Sequence, residues 1–166
     1  ASGGLYPRLP DIQAGLRLDD AGRGLVLLGF ALGTSLTFIF ASPAIERFGT
    51  RRVLFGIPLL GIATAVLALI PSAPLLFVAF IAYGALYGVT NIAMNIEADR
   101  IEATSTGRRV MNSCHGVWSL GYLAATLLGT LAAAFGLAPP AHLALVALAV
   151  AVLGILTILP LQCAPP

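Results

Sequence analysis

Two runs of side chains in this sequence have the types and spacing to do chemistry. Tyr83, Tyr87, Asn91 and Asn95 recur at every fourth position, with Thr90 and Met94 beside them. At helical pitch that spacing places them along one face. Asn112, His115, Ser119, Tyr122 and Thr126 follow three- and four-residue steps, with Trp118 adjoining, and form a second polar face. The chemistry available is recognition without covalent bonds. Amides and hydroxyls donate and accept, rings stack, and one imidazole can carry a proton near neutral pH. Each face has a plain reading and a sharper one. Hydrogen bonding between helices accounts for the amides at about 1 kcal/mol or less each. The wall of a polar cavity accounts for the two tyrosines as well, and the first face favours it. At His115, packing, hydrogen bonding to a solute or a neighbouring helix, and proton relay all stay open. Trp118 and Tyr122 could stack on a ring-shaped ligand or fill a core.

The elements that must position these faces are membrane spans. The chain is 58% hydrophobic and 10% charged, with a mean hydropathy of +0.96. A soluble domain carries about 25% charged residues. Gly24 to Ile45 and Val53 to Ile96 contain no charged side chain, and about 20 apolar residues in a helix cross a bilayer core. The expected organisation is all-α: a polytopic membrane helix bundle with spans at 20–47, 50–70, 75–97, 110–135 and 141–159. Residues 1–9 read as the remnant of a preceding span, 10–19 as an extracytoplasmic loop, 98–109 as a cytoplasmic connection and 160–166 as a truncated tail. Gly29, Gly33, Thr37 and Ala41 make a small-residue stripe on the first full span, which suits close helix packing. Asp19 is placed to cap that span, with Asp20 in its first turn. Pro58 should bend the second. The spans at 50–70 and 141–159 show no polar face and are expected to meet lipid.

The remaining titratable groups are few. Asp11 reads as a solvated loop residue or as a proton or substrate site. Glu97 reads as a solvated helix-end carboxylate or as a proton-coupling group. His142 sits at a membrane edge and is expected to be interfacial. Cys114 and Cys163 have no metal-ligand spacing and read as small buried hydrophobes. No phosphate loop, nucleophile elbow or helical metal-binding pair is present, so neither enzyme chemistry nor a metal or other cofactor is expected. All nine basic residues are arginine, without a basic stripe bearing interleaved aromatics, so nucleic acid is not an expected partner.

Three of the arginines fall in one turn, Ser42-Pro-Ala-Ile-Glu46-Arg47-Phe-Gly49-Thr50-Arg51-Arg52. The turn joins two apolar runs, and its positive charge marks a cytoplasmic side. Arg100, Arg108 and Arg109 lie two spans later and put the 98–109 connection on that same side. Arg47 at a helix C-terminus complements the macrodipole, and Gly49 can take the positive φ of a tight reversal.

This turn resembles the Gly-x-x-x-Asp-Arg-x-Gly-Arg-Lys/Arg pattern between the second and third helices of major facilitator superfamily transporters. Glu46, Arg47, Gly49 and Arg51 match in order and spacing, with Glu for Asp, while Ser42 and Thr50 depart from it. The resemblance implies a gating role for Glu46, Arg47, Gly49, Arg51 and Arg52. The run Asn112-Ser-Cys-His115-Gly-Val-Trp118-Ser-Leu-Gly121, with Asn91-Ile-Ala-Met-Asn95 before it, resembles the bacterial branch near fucose-type sugar permeases. The Gly-Pro-x-x-Gly-Gly signature of drug/proton antiporters is missing from the fifth helix. Taken together, the resemblance implies the N-terminal six-helix half of such a transporter, built of inverted three-helix repeats in the bacterial inner membrane and working with a C-terminal half absent from this sequence.

The expected activity is alternating-access transport of a small polar or amphipathic, sugar-like solute. Tyr83, Tyr87, Asn91, Asn95, His115, Trp118 and Tyr122 are the candidate solute-binding residues. His115, Glu97 and Asp11 are the candidates for proton coupling. Efflux of drugs or metabolites is the alternative within transport, and a scaffold or receptor subunit that moves nothing is the alternative outside it.

Overall fold

The structure, a computed structural model, describes residues 2–104 and 109–161. Arg108 and Cys163 therefore lie outside the described residues. Among those described there is no strand. The helices are α1 (Ser2–Leu5), a 3₁₀ turn (Tyr6–Arg8), α2 (Leu9–Gly15), α3 (Asp20–Phe48), α4 (Thr50–Leu54), α5 (Gly56–Leu67), α6 (Ala73–Thr104), α7 (Val110–Ala134) and α8 (Pro139–Ile158). Among the described residues five segments are long and apolar enough to cross a membrane: α3, α4 with α5, α6, α7 and α8. The chain is an all-α polytopic membrane bundle.

Local chemistry sets most of the boundaries. Asp19 caps α3, its Oδ1 accepting the Gly22 amide at 2.7 Å. Gly49 closes the same helix with φ 77°, its amide donating to the Ile45 carbonyl at 2.8 Å. A side chain there would resist that positive φ. Pro58 has no amide hydrogen, and its ring presses on the carbonyl four residues back, that of Leu54. The second span accordingly breaks at Phe55, between α4 and α5. At the chain start, Pro7 and Pro10 each fall in the first turn of a helical segment. Their missing donors are harmless there, so the expected loop at 10–19 is helical as far as Gly15. The helix expected over 75–97 likewise runs on to Thr104.

Two helix pairs make the core. α3 and α6 form the larger, and the stripe Gly29, Gly33, Thr37 and Ala41 is buried between them. Gly84 and Gly88 on α6 answer it. A Cβ on Gly33 would strike the Ile81 carbonyl, and one on Gly84 would strike that of Phe30. The backbones therefore approach as only small residues allow. Thr37 donates to the Gly33 and Ala85 carbonyls at 3.2 and 3.3 Å.

The second pair is α5 with α8. These are the two featureless spans, and they pack on each other while Leu59, Ile62, Leu148 and Leu156 stay exposed. Gly61 and Gly154 make the close approach, against Ala147 and against Ile57 and Pro58. By contrast α7 buries only Gly129.

Candidate functional site

The lower half of α6 and the first turns of α7 line an open-sided cavity of about 360 Å³. From α6 it receives Tyr87, Asn91, Asn95 and Glu97, and from α7 Cys114, His115 and Trp118. The residues expected to recognise a solute thus come from both polar faces. Asn95 Nδ2 donates to Asn91 Oδ1 at 3.3 Å, which ties the two amides and fixes their relative orientation. Trp118 lies stacked over Tyr122, with centroids 5.5 Å apart and planes at 27°. Tyr122 leans in turn on Tyr6, 6.2 Å away. A second void of about 130 Å³ shares Tyr87, Asn91, Met94 and Trp118 with the first and reaches Ser2. The polar path therefore extends along α6 toward α1.

Tyr83 does not join this path. It is buried in the core, where its hydroxyl accepts from Thr64 Oγ1 at 3.3 Å and its ring meets Phe30 and Phe80. The reason is helical pitch. Residues four apart precess by about 40° per step, so the stripe from Tyr83 to Asn95 winds through about 120°. Its upper end points into the α3–α5 core and its lower end into the cavity.

The three candidates for proton coupling separate in the same way. Glu97 and His115 line the cavity. Asp11 is half-exposed and bonds Arg8 at 3.1 Å. Glu97 departs from the solvated carboxylate read from sequence. It is 3% exposed, accepts from Thr50 Oγ1, and pairs with Arg100 Nε at 2.7 Å. Cys114 departs as well, being exposed on the open face of α7.

The arginine-rich turn is held to its neighbours at two points. Thr50 bonds the Glu97 carboxylate on α6. Arg51 Nη2 donates to the Leu159 carbonyl at the end of α8, at 2.6 Å, the arrangement that suits a cation beside unsatisfied terminal carbonyls. Arg47 packs its guanidinium over Phe48, 5.6 Å from the ring centroid. Glu46 and Arg52 are exposed. Thr50, a departure from the sequence pattern, is thus the residue that anchors the turn to the cavity floor. Sequence reasoning gave it no role because its partner lies 47 residues away. Arg8 and His142 were missed for the same reason. Both are buried, and Arg8 Nε donates to His142 Nδ1 at 3.2 Å, so His142 faces a protein partner at the start of α8.

No buried side-chain nitrogen or oxygen among the described residues lacks a hydrogen-bond partner. That is the condition under which polar groups persist at membrane depth.

The chain matches no protein-family model and no solved structure. Two curated proteins are similar to it. An uncharacterised transporter of Sinorhizobium fredii is 32% identical over 130 residues, covering 77% of this chain and 34% of that protein. An uncharacterised MFS-type transporter of Yersinia pestis is 32% identical over 116 residues, covering 69% of this chain and 30% of that protein. The chain therefore spans about a third of the length of these relatives. The similarity supports membership of the major facilitator superfamily and a role in transport. Together with the five apolar helical segments, it supports an integral, multi-pass membrane protein.

Proposed function

We propose that this chain forms one half of a secondary transporter of the bacterial inner membrane, and that its solute path runs between the polar faces of α6 and α7. The observation that carries this reading is the cavity of about 360 Å³, where Asn91 and Asn95 face His115 and Trp118. Paired amides beside an aromatic plane suit a small solute with hydroxyl groups on its edge and an apolar ring face. A sugar-like compound has that form. The second half of the transporter would close the cavity from the open side of α7, and the turn at Glu46, Arg47, Gly49, Arg51 and Arg52 would gate alternating access through its ties to α6 and α8. His115 and Glu97 line the cavity and are the groups through which a proton could be coupled to the solute.

The test is flux through the full-length protein in liposomes holding a pH-sensitive dye. Sugars, sugar acids and amphipathic drugs are offered to the wild type and to Asn91→Ala and His115→Ala. A sugar-dependent proton flux lost in Asn91→Ala is the expected result. Sugar flux indifferent to a pH gradient removes the coupling. Flux with drugs alone moves the reading to efflux, and flux with nothing returns it to a scaffold.

A further inference from the structure

Arg8 is 2% exposed and sits where the 3₁₀ turn meets α2. Its guanidinium is shared among three partners. Nη1 bonds Asp11 Oδ2 at 3.1 Å, Nη2 donates to the Leu137 carbonyl at 2.9 Å, and Nε donates to His142 Nδ1 at 3.2 Å. Leu137 lies in the link between α7 and α8, and His142 in the first turn of α8. One cation therefore clasps the start of the chain to the α7–α8 corner. This corner is far from the arginine-rich turn. Arg51 of that turn bonds Leu159, at the opposite end of α8, and a helix of such length spans about 30 Å.

The clasp works in one protonation state only. Arginine Nε always carries its hydrogen and its charge. Nδ1 of His142 must therefore present a lone pair, which makes the imidazole neutral with its hydrogen on Nε2. A proton added to Nδ1 would set N–H against N–H and bring two cations together at hydrogen-bond distance.

The charged neighbours are few. On the chain-start side they are Arg8 and, through it, the Asp11 carboxylate. On the α7 side His142 Cε1 faces Gly129, and neither α5 nor α7 contributes an Asp, Glu, Lys or Arg. Among the described residues packed here only Asp11 could offset the added charge, and it is half-exposed and already committed to Arg8.

We propose that Arg8, His142 and the Leu137 carbonyl form a proton-released latch at the end of the bundle opposite the Gly49 turn. With His142 neutral it holds α1 and α2 against the α7–α8 corner. A proton taken from the water on that face by His142 Nδ1 breaks the Arg8 bond and frees the two elements to part. The latch does not depend on the solute cavity and would act whatever the protein moves.

The test is backbone hydrogen exchange of the full-length protein in nanodiscs, corrected for intrinsic rates, at about pH 7.5 and about pH 4.5, the lower value well under the ordinary imidazole value. At the lower pH the segments 6–11 and 137–143 should exchange faster by roughly tenfold or more, the scale of losing one hydrogen bond to a charged group, while α3 and α6 stay unchanged. His142→Asn keeps an acceptor at the Nδ1 position and cannot be charged, so its exchange should be the same at both pH values. Equal exchange at both pH values in the wild type overturns the latch even if the variant fails to fold. A variant that opens like the wild type also overturns it.

Discussion

α3 and α7 carry glycines at similar density, yet they meet opposite surroundings. On α3, Gly29 and Gly33 are pressed against carbonyls of α6, and no side chain could fit. On α7, Gly116 and Gly121 have nothing within 4 Å of where a Cβ would stand. The first helix is finished, with a continuous buried stripe from Val26 to Ala41. The second is bare, and its polar residues look across a cavity with one side open. The contrast divides the chain into a packed scaffold of α3, α5, α6 and α8 and a wall built to be completed. It also separates stability from function, because the scaffold side should govern folding and the bare side activity.

The sharpest break of that division is Gly33→Ala. The new methyl would collide with the Ile81 carbonyl and the Ala85 amide. The two helices must part, at a cost of about 3 kcal/mol, the top of the usual range for overpacking. The expected outcome is a large fall in thermal midpoint or in the folded yield of membrane protein. A neutral result would mean that the α3–α6 interface is looser than the backbone contact requires.

Next in size is Thr50→Val, which removes the donor to the buried Glu97 carboxylate. Hydrogen bonds to charged groups contribute about 1.5–3 kcal/mol. Cysteine accessibility across residues 46–52 should rise, with α3 intact. Unchanged accessibility would show that the Arg51–Leu159 tie alone holds the turn.

Much of the packed side was legible in sequence, because residue type there reports backbone geometry directly. Small side chains at every fourth position favour close approach, Asp before an apolar run offers a cap, and Gly in a charged reversal offers positive φ. The open side was legible in composition but not in orientation. Equal spacing made Tyr83 and Asn95 look like one face, whereas a four-residue repeat winds slowly round a helix of 3.6 residues per turn. Groups whose partners are distant in sequence were misread. Glu97 looked solvated because the charged stretch after it implied water, but Thr50 and the continuing helix enclose it. Nothing local joins Arg8 to His142, which lie 134 positions apart.

Asn91→Ala should separate the two regions functionally. The amide is half-buried, bonds only its neighbour one turn away among the described residues, and is worth about 1 kcal/mol or less to the fold. Thermal midpoint should hardly move while solute flux falls steeply. If stability drops as far as in Thr50→Val, Asn91 is a packing residue and the cavity wall lies elsewhere.

The smallest effect is the most informative about the bare helix. Gly121→Ala repeats the chemical change made at Gly33 in a place where the added methyl meets nothing. Relief of glycine's backbone entropy alone should then stabilise α7 by about 0.5–1 kcal/mol. A slightly raised midpoint in the full-length protein, with flux unchanged, would mean that Gly121 looks onto lipid or water. A lowered midpoint would mean that another helix lies against it as closely as α6 lies against Gly33. The sign of one methyl's effect therefore reports whether this side of α7 is a surface or half of an interface.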